Sequence, residues 1–454
     1  MIVTILAFLF VLAFSITIHE FGHFLIAKLF KIPVEKFSIG YGPPLVRMQI
    51  GETDFRIAYF PLGGYVKIAG EEEGELTQKA LNRGSTEDTE RDAQNALKDH
   101  TEEALKALKG SGVASFYEAP IYQRVLIVLA GPLFNIFSAF FVFVVILAGF
   151  GILVNPYMNI EVEIGGAAEK AGLMDNDSIV RLAGTTIKDW DAMYDVLSEH
   201  NGQEISIGLV RNGEYLQKWI LVNIDSLGMQ PIVPPILGSL KLDGPAYRAG
   251  MKQGDRVLRI GETDITSWNQ MVDTVRKSVS IPLDFVWTHK GTEQRATITP
   301  AGTFDPISGD TIGQIGVIMP LERLQVPLSD VVSMSATRSV EVVWLTLKTL
   351  YQLIIGRISR RAIGGPIAIA RLSGESARWG FENLLGLLAI ISINLGLINL
   401  FPIPVLDGGH VVISVIEAIR RKRFSKRTRI IIQQIGYAII LLLIVFVTFN
   451  DITR

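Results

Sequence analysis

His19-Glu20-Phe21-Gly22-His23 sets two imidazoles four residues apart with a carboxylate beside the first. On a helix, positions i and i+4 share a face, so both rings can reach one zinc ion. Glu20 sits where it can take a proton from a water that the metal has acidified. Such a site needs a third protein ligand and an open position. There is no cysteine, so that ligand must be a histidine or a carboxylate. Far along the chain stands Asn399-Leu-Phe-Pro402-Ile-Pro404-Val-Leu-Asp407-Gly-Gly-His410. Its two prolines break a helix, and broken backbone at membrane depth is tolerated only where it is buried in protein or lines a cavity. Asp407 and His410 both follow the break and compete for the third position. His100, His200 and His289 lie in polar segments and read as solvated or locally hydrogen-bonded.

The elements that must carry these groups are apolar. Of 454 residues, 49% are hydrophobic and 19% charged, and the mean hydropathy is +0.35. That is the composition of a membrane protein with a polar part, and a net charge of −2 argues against a nucleic-acid partner. Four segments are apolar enough to span a bilayer: Ile2 to Ile18, running on through Phe30, then about Val125–Val154, Leu384–Phe401 and Ile430–Phe449. The first has no Lys or Arg before Lys28 and so lacks the basic start of a signal peptide. Ionisable residues inside a span are functional by default. His19 lies nine residues before Lys28, roughly 13 Å from the basic end of its helix. Lys28, Lys31, Lys36, Arg47, Arg124 and the cluster Arg420–Arg429 fall on one side of a four-span chain, which is then the cytoplasmic side.

Between spans two and three the sequence repeats itself. Gly166-Ala-Ala-Glu-Lys-Ala-Gly-Leu-Met-Asp-Asn-Asp177 matches Gly244-Pro-Ala-Tyr-Arg-Ala-Gly-Met-Lys-Gln-Gly-Asp255, and the offset carries on to Ile187 with Ile265 and Trp190 with Trp268. A unit that long is too large for a solenoid repeat and implies two copies of a small domain. Each copy resembles the PDZ domain, which binds peptides by adding a strand to a sheet edge. Alternating runs punctuated by glycine over 37–70 predict a small sheet at the membrane. Residues 71–118 read as a solvated polar insertion, and Val331–Leu353 as an interfacial amphipathic helix.

The pairing of H-E-x-x-H in the first span with N-x-x-P-x-P-x-L-D-G in a later one resembles the site-2 protease family. With Phe37-Ser-Ile-Gly-Tyr-Gly-Pro-Pro44 and Pro61-Leu-Gly-Gly-Tyr-Val-Lys67, the chain is similar to the regulator of sigma-E protease subgroup. The resemblance implies zinc held by His19, His23 and Asp407, with Glu20 as catalytic base, and so favours Asp407 over His410. It also implies that Asn399 and Asn394 hold substrate backbone. The fold expected is a polytopic α-helical membrane protein of four transmembrane helices, with a small membrane-associated β-sheet and two tandem PDZ domains (α+β). The expected divisions are 1–30 (first span), 31–70 (sheet), 71–118 (insertion), 119–154 (second span), 155–227 and 228–320 (the PDZ pair), 321–379 (interfacial helix and connection), 380–420 (third span, broken at the motif) and 421–454 (basic loop and fourth span). The insertion looks longer than the family's loop.

The function so implied is hydrolysis of a peptide bond within or near the transmembrane segment of single-span membrane proteins. The expected substrates are an anti-sigma factor in an envelope stress response, and leftover signal peptides. The expected place is the bacterial inner membrane, with the PDZ pair periplasmic and the active site opening to the cytoplasm. A non-catalytic membrane scaffold presenting PDZ domains is the rival from another class. Loss of Glu20 or Asp407 would favour it, and both are present. A transporter would show its repeat among the spans, whereas here it lies in the polar region.

Overall fold

The computed structural model describes residues 1–69, 116, 119–304, 310–357 and 364–453. The polar insertion read over 71–118 therefore lies almost wholly outside the described residues. The chain divides into two compact units. One comprises Met1–Ile146, Pro327–Ala377 and Phe381–Arg454, the other Leu147–Val326 and Arg378–Gly380.

Among the described residues, four helices are long and apolar enough to cross a membrane, and they make this an α+β membrane protein. They are α1 (Ile2–Leu29), α2 (Ile121–Gly149), a later helix at Phe381–Asn399 and a last one whose span is Arg427–Ile452. The second starts and ends a few residues earlier than the apolar run predicts. Gly151 turns the backbone to positive φ, and Ile152–Val154 then pairs as a short strand with Glu322–Leu324.

After α1 the chain forms a long antiparallel hairpin, β1 (Val34–Ile50) and β2 (Thr53–Ile68). Bulges at Gly40 and Gly42 fold it back on itself, so Lys36–Ile39 pairs on one side with Asp54–Ile57 and on the other with Gly64–Lys67. The strand ending at Ile68 is thus an edge strand, and it packs on α1. The opposite limb, Pro44–Ile50, is exposed on every residue.

In the second unit the repeat appears as two alike lobes. The first has strands β3 (Ser178–Leu182), β4 (Thr185–Thr186), β5 (Glu204–Arg211) and β6 (Glu214–Leu221) in the order β4-β3-β5-β6, with helix α3 (Trp190–Glu199). The second has β7 (Arg256–Ile260), β8 (Thr263–Asp264), β9 (Leu283–His289) and β10 (Thr292–Ile298) in the order β8-β7-β9-β10, with helix α4 (Trp268–Lys277). Matched residues take matched places: Ile187 and Ile265 are equally buried, and Trp190 and Trp268 each start the helix and enter the core. Asp189 and Ser267 cap these helices, their side chains accepting from Ala192 N–H and Gln270 N–H.

The membrane unit resumes with α5 (Leu328–Ile354), which contains the predicted amphipathic helix and exposes Val340, Trp344, Leu345 and Tyr351. α6 (Pro366–Trp379) and α7 (Phe381–Asn399) follow. The prolines end α7, and the chain re-enters helix as α8 (Asp407–Arg420) before α9 (Lys426–Thr453).

Candidate metal centre

α1 carries His19, Glu20 and His23 in one helical turn, and the start of α8 brings Asp407 to them. His19 Nε2 lies 3.1 Å from Asp407 Oδ2, His23 Nε2 lies 3.6 Å from Asp407 Oδ1, and the two Nε2 atoms are 3.2 Å apart. Ligand atoms set tetrahedrally about zinc at about 2.0–2.1 Å stand roughly 3.3 Å from one another. The two imidazole nitrogens and the Asp407 carboxylate, whose two oxygens face one ring each, stand close to that spacing, and one ligand atom from each residue lies within 4.8 Å of the other two. Asp407 Oδ2 is buried and takes no hydrogen bond even with an imidazole nitrogen beside it, as expected of an oxygen built to face a cation. Among the described residues these three form the one group of histidines and acids so gathered, and His410 is not in it.

The outer contacts fix the rings. His23 Nδ1 lies 2.8 Å from the carbonyl of Ile127 on α2. A carbonyl only accepts, so the imidazole proton sits on Nδ1 and Nε2 keeps its lone pair. His19 Nδ1 lies 3.2 Å from the side-chain amide of Asn135, also on α2. Asn399, at the end of α7, brings its amide nitrogen within 3.4 Å of His19 Nε2. Glu20 lies beside the edge strand of the hairpin. A Cβ added at Gly64 would touch both Glu20 Cγ and Ile16 Cγ2. The strand therefore lies directly against the carboxylate.

Two glycines permit this assembly. A Cβ on Gly22 would lie 2.5 Å from the carbonyl oxygen of Ala130, and one on Gly131 would lie 2.3 Å from His23 Nε2 and 2.8 Å from His19 Cε1. α1 and α2 meet backbone to backbone at the level of His19 and His23, the close approach that small residues allow within membranes. α2 is tied to α7 by Ser138 and Ser392, whose hydroxyls are 3.0 Å apart.

Of the residues singled out from sequence, His19, His23, Asp407, Glu20 and Asn399 come together. Asn394 is engaged elsewhere: its amide oxygen accepts a hydrogen bond from Thr346 Oγ1 of α5 at 2.8 Å. Gly131 and Asn135 were not singled out. Asn135 carried a usable signal, an amide within an apolar span, where polar side chains mark function or helix contacts.

Known proteins match the chain end to end. A putative zinc metalloprotease of Neisseria meningitidis is 31% identical, with 99% of each chain covered. The regulator of sigma-E protease RseP of Salmonella typhimurium is 30% identical over 99% of this chain and 98% of its own, as is the Escherichia coli protein of that name. A solved PDZ domain from Listeria monocytogenes overlaps 20% of this chain at 19% identity with a TM-score of 0.16, too slight a likeness to carry an argument. The family model described as Peptidase family M50 matches residues 7–443, from within the first candidate span into the last. The chain belongs to Peptidase family M50 and is a zinc metalloprotease of the intramembrane, site-2 type.

Proposed function

We propose that this protease cleaves single-span proteins of the bacterial inner membrane, within or near their transmembrane segment. Zinc is held by His19, His23 and Asp407, and Glu20 handles the proton. An anti-sigma factor of an envelope stress response is the substrate class that the relatives named regulator of sigma-E protease suggest, with leftover signal peptides as a second. The observation that carries the reading is the convergence of two imidazole nitrogens and one carboxylate within a bundle of apolar helices, with Glu20 one residue from the first ligand.

Zinc held there supplies Lewis-acid polarisation of the scissile carbonyl and acidifies water. Glu20, packed beside the edge strand at Gly64, accepts the proton and returns it to the leaving amine. The substrate helix must first unwind, and each amide left unpaired in hydrocarbon costs several kcal/mol. The edge strand around Gly64–Val66 offers replacement partners by strand addition, at the level of the reacting groups. Asn399 is suited to hold substrate backbone beside His19, and Asn394 would join it only after Thr346 lets go. The two repeated lobes act as tandem PDZ domains on the periplasmic side, and the active site opens toward the cytoplasm. The position of the basic residues around the spans supports that orientation.

The test is coexpression with a truncated single-span substrate. Glu20→Gln is expected to lower cleavage by about 10²–10⁴-fold, the usual worth of a general base, while zinc content stays at the wild-type level. Equal cleavage by the two proteins would remove Glu20 from the chemistry.

A further inference from the structure

Asn135 is wholly buried at the middle of α2, and its side-chain nitrogen lies 3.2 Å from His19 Nδ1. Its side-chain oxygen, also buried, has no hydrogen-bond partner. An amide N–H directed at Nδ1 would require a lone pair there and would drive the ring proton to Nε2. That atom faces Asp407 Oδ2 at 3.1 Å and His23 Nε2 at 3.2 Å, where a ligand lone pair is needed. A half-turn of the amide exchanges its oxygen and nitrogen. The oxygen then accepts from Nδ1–H, and Nε2 is left bare. His23 has the same arrangement already, with the carbonyl of Ile127 as acceptor.

Asn135 cannot drift from this place. Its backbone carbonyl accepts from the hydroxyls of both Ser138 and Ser392. α7 presses on it so closely at Gly396 that an added Cβ would lie 3.3 Å from Asn135 Cβ.

We infer that Asn135 is a positioning residue of the metal centre, its side-chain oxygen fixing the tautomer and orientation of His19 so that Nε2 faces the metal; the inference rests on the reading of His19 as a zinc ligand. Partners of this kind tune ligand basicity as well as direction, and their loss weakens metal binding by about 10–100-fold. An asparagine serving only to hold helices together would leave zinc affinity where it was.

The experiment measures zinc affinity of the full-length protein in detergent by competition with a chromophoric chelator, with the visible spectrum of the cobalt-substituted protein as a second readout. Melting of the zinc-free proteins reports folding separately. Asn135→Leu is expected to bind zinc about 10–100-fold more weakly than wild type and to alter the cobalt spectrum. Asn135→Asp keeps size and acceptor but has no N–H, and is expected to retain wild-type affinity or exceed it. A folded leucine variant with unchanged affinity overturns the inference. Should that variant not fold, the isosteric aspartate decides: affinity kept upholds the acceptor role, and affinity lost overturns it. Wild type and His19→Ala run alongside. Absence of zinc from wild type, or its retention by His19→Ala, would instead sink the assignment of His19 itself.

Discussion

At the scale of single residues, the proposed metal centre depends as much on what is missing as on what is present. Gly131 leaves the space that both imidazoles occupy, and a methyl group there would meet His23 Nε2 and His19 Cε1 well inside contact distance. Both rings are pinned, one by Ile127 and one by Asn135, so they have little freedom to give way. Gly131→Ala should therefore displace the ligands, and misplacement by an ångström costs on the order of 10²-fold in rate. Cleavage assays and zinc analysis of Gly131→Ala beside Gly386→Ala check this, since an added Cβ at Gly386 meets nothing within 4 Å. The control should behave as wild type; equal behaviour of the pair would refute the steric account. His19, Glu20 and His23 stood out in the sequence because type and spacing together imply chemistry, whereas Asp407 stood level with His410 until the family resemblance favoured it. Gly131-Pro-Leu-Phe-Asn135 was legible only in the amide of Asn135, a polar group within an apolar span. Within an apolar run it reads as a proline-bearing span, and its meaning depends on which helix lies opposite.

At the scale of elements, helix ends are held by charges from distant parts of the chain. Asp451, in the last turn of α9, accepts from the backbone N–H groups of Gly365, Ile367 and Ala368, so it caps the start of α6. Asp451→Ala should lower stability by about 1 kcal/mol, the usual worth of an N-cap, measured as a fall in melting temperature in detergent. Arg124 of α2 and Glu417 of α8 form a buried pair 3.2 Å apart, and Arg429 of α9 reaches the same carboxylate. Removing Arg124 as Arg124→Leu strands part of a buried charge and is expected to cost about 3 kcal/mol. A loss below about 1 kcal/mol in the same melts would class the pair with weak surface bridges. The helices and the break between Leu400 and Leu406 were readable from apolar length and from Pro402 and Pro404. The hairpin was readable only in part. Gly40, Gly42 and Gly63 interrupt the alternation into short runs, whereas the chain bridges them with bulges and makes Lys36–Ile39 the central strand. Pairing between residues so far apart leaves no local mark on either.

At the scale of the whole molecule, a duplicated polar unit accompanies a membrane unit that holds the chemistry. The duplication was visible as a constant offset and reappears as one strand order met twice. Equivalent buried acids are bound from equivalent positions, at the same offset, by residues of different type. Asp177 is bound by Arg211, while Asp255 is bound by His289. Burial alone would push the Asp177 carboxyl up, but the Arg211 guanidinium and the Met174 N–H outweigh it and hold it below its ordinary value of 3.8. Its stabilising effect is then fully present above that ordinary value and is lost as pH falls through it toward the lower folded value. Acid titration of the 147–326 unit, followed by circular dichroism, should show stability falling below about pH 4. In Arg211→Leu the acid transition should move to higher pH; an unmoved transition would show that the pair contributes nothing. The account as a whole stands on one ion held by residues from the two ends of the chain. Zinc analysis of purified full-length protein, wild type beside Asp407→Ala, tests it most directly. One zinc per wild-type chain and its loss in the variant are expected, and full occupancy of the variant would contradict the assignment.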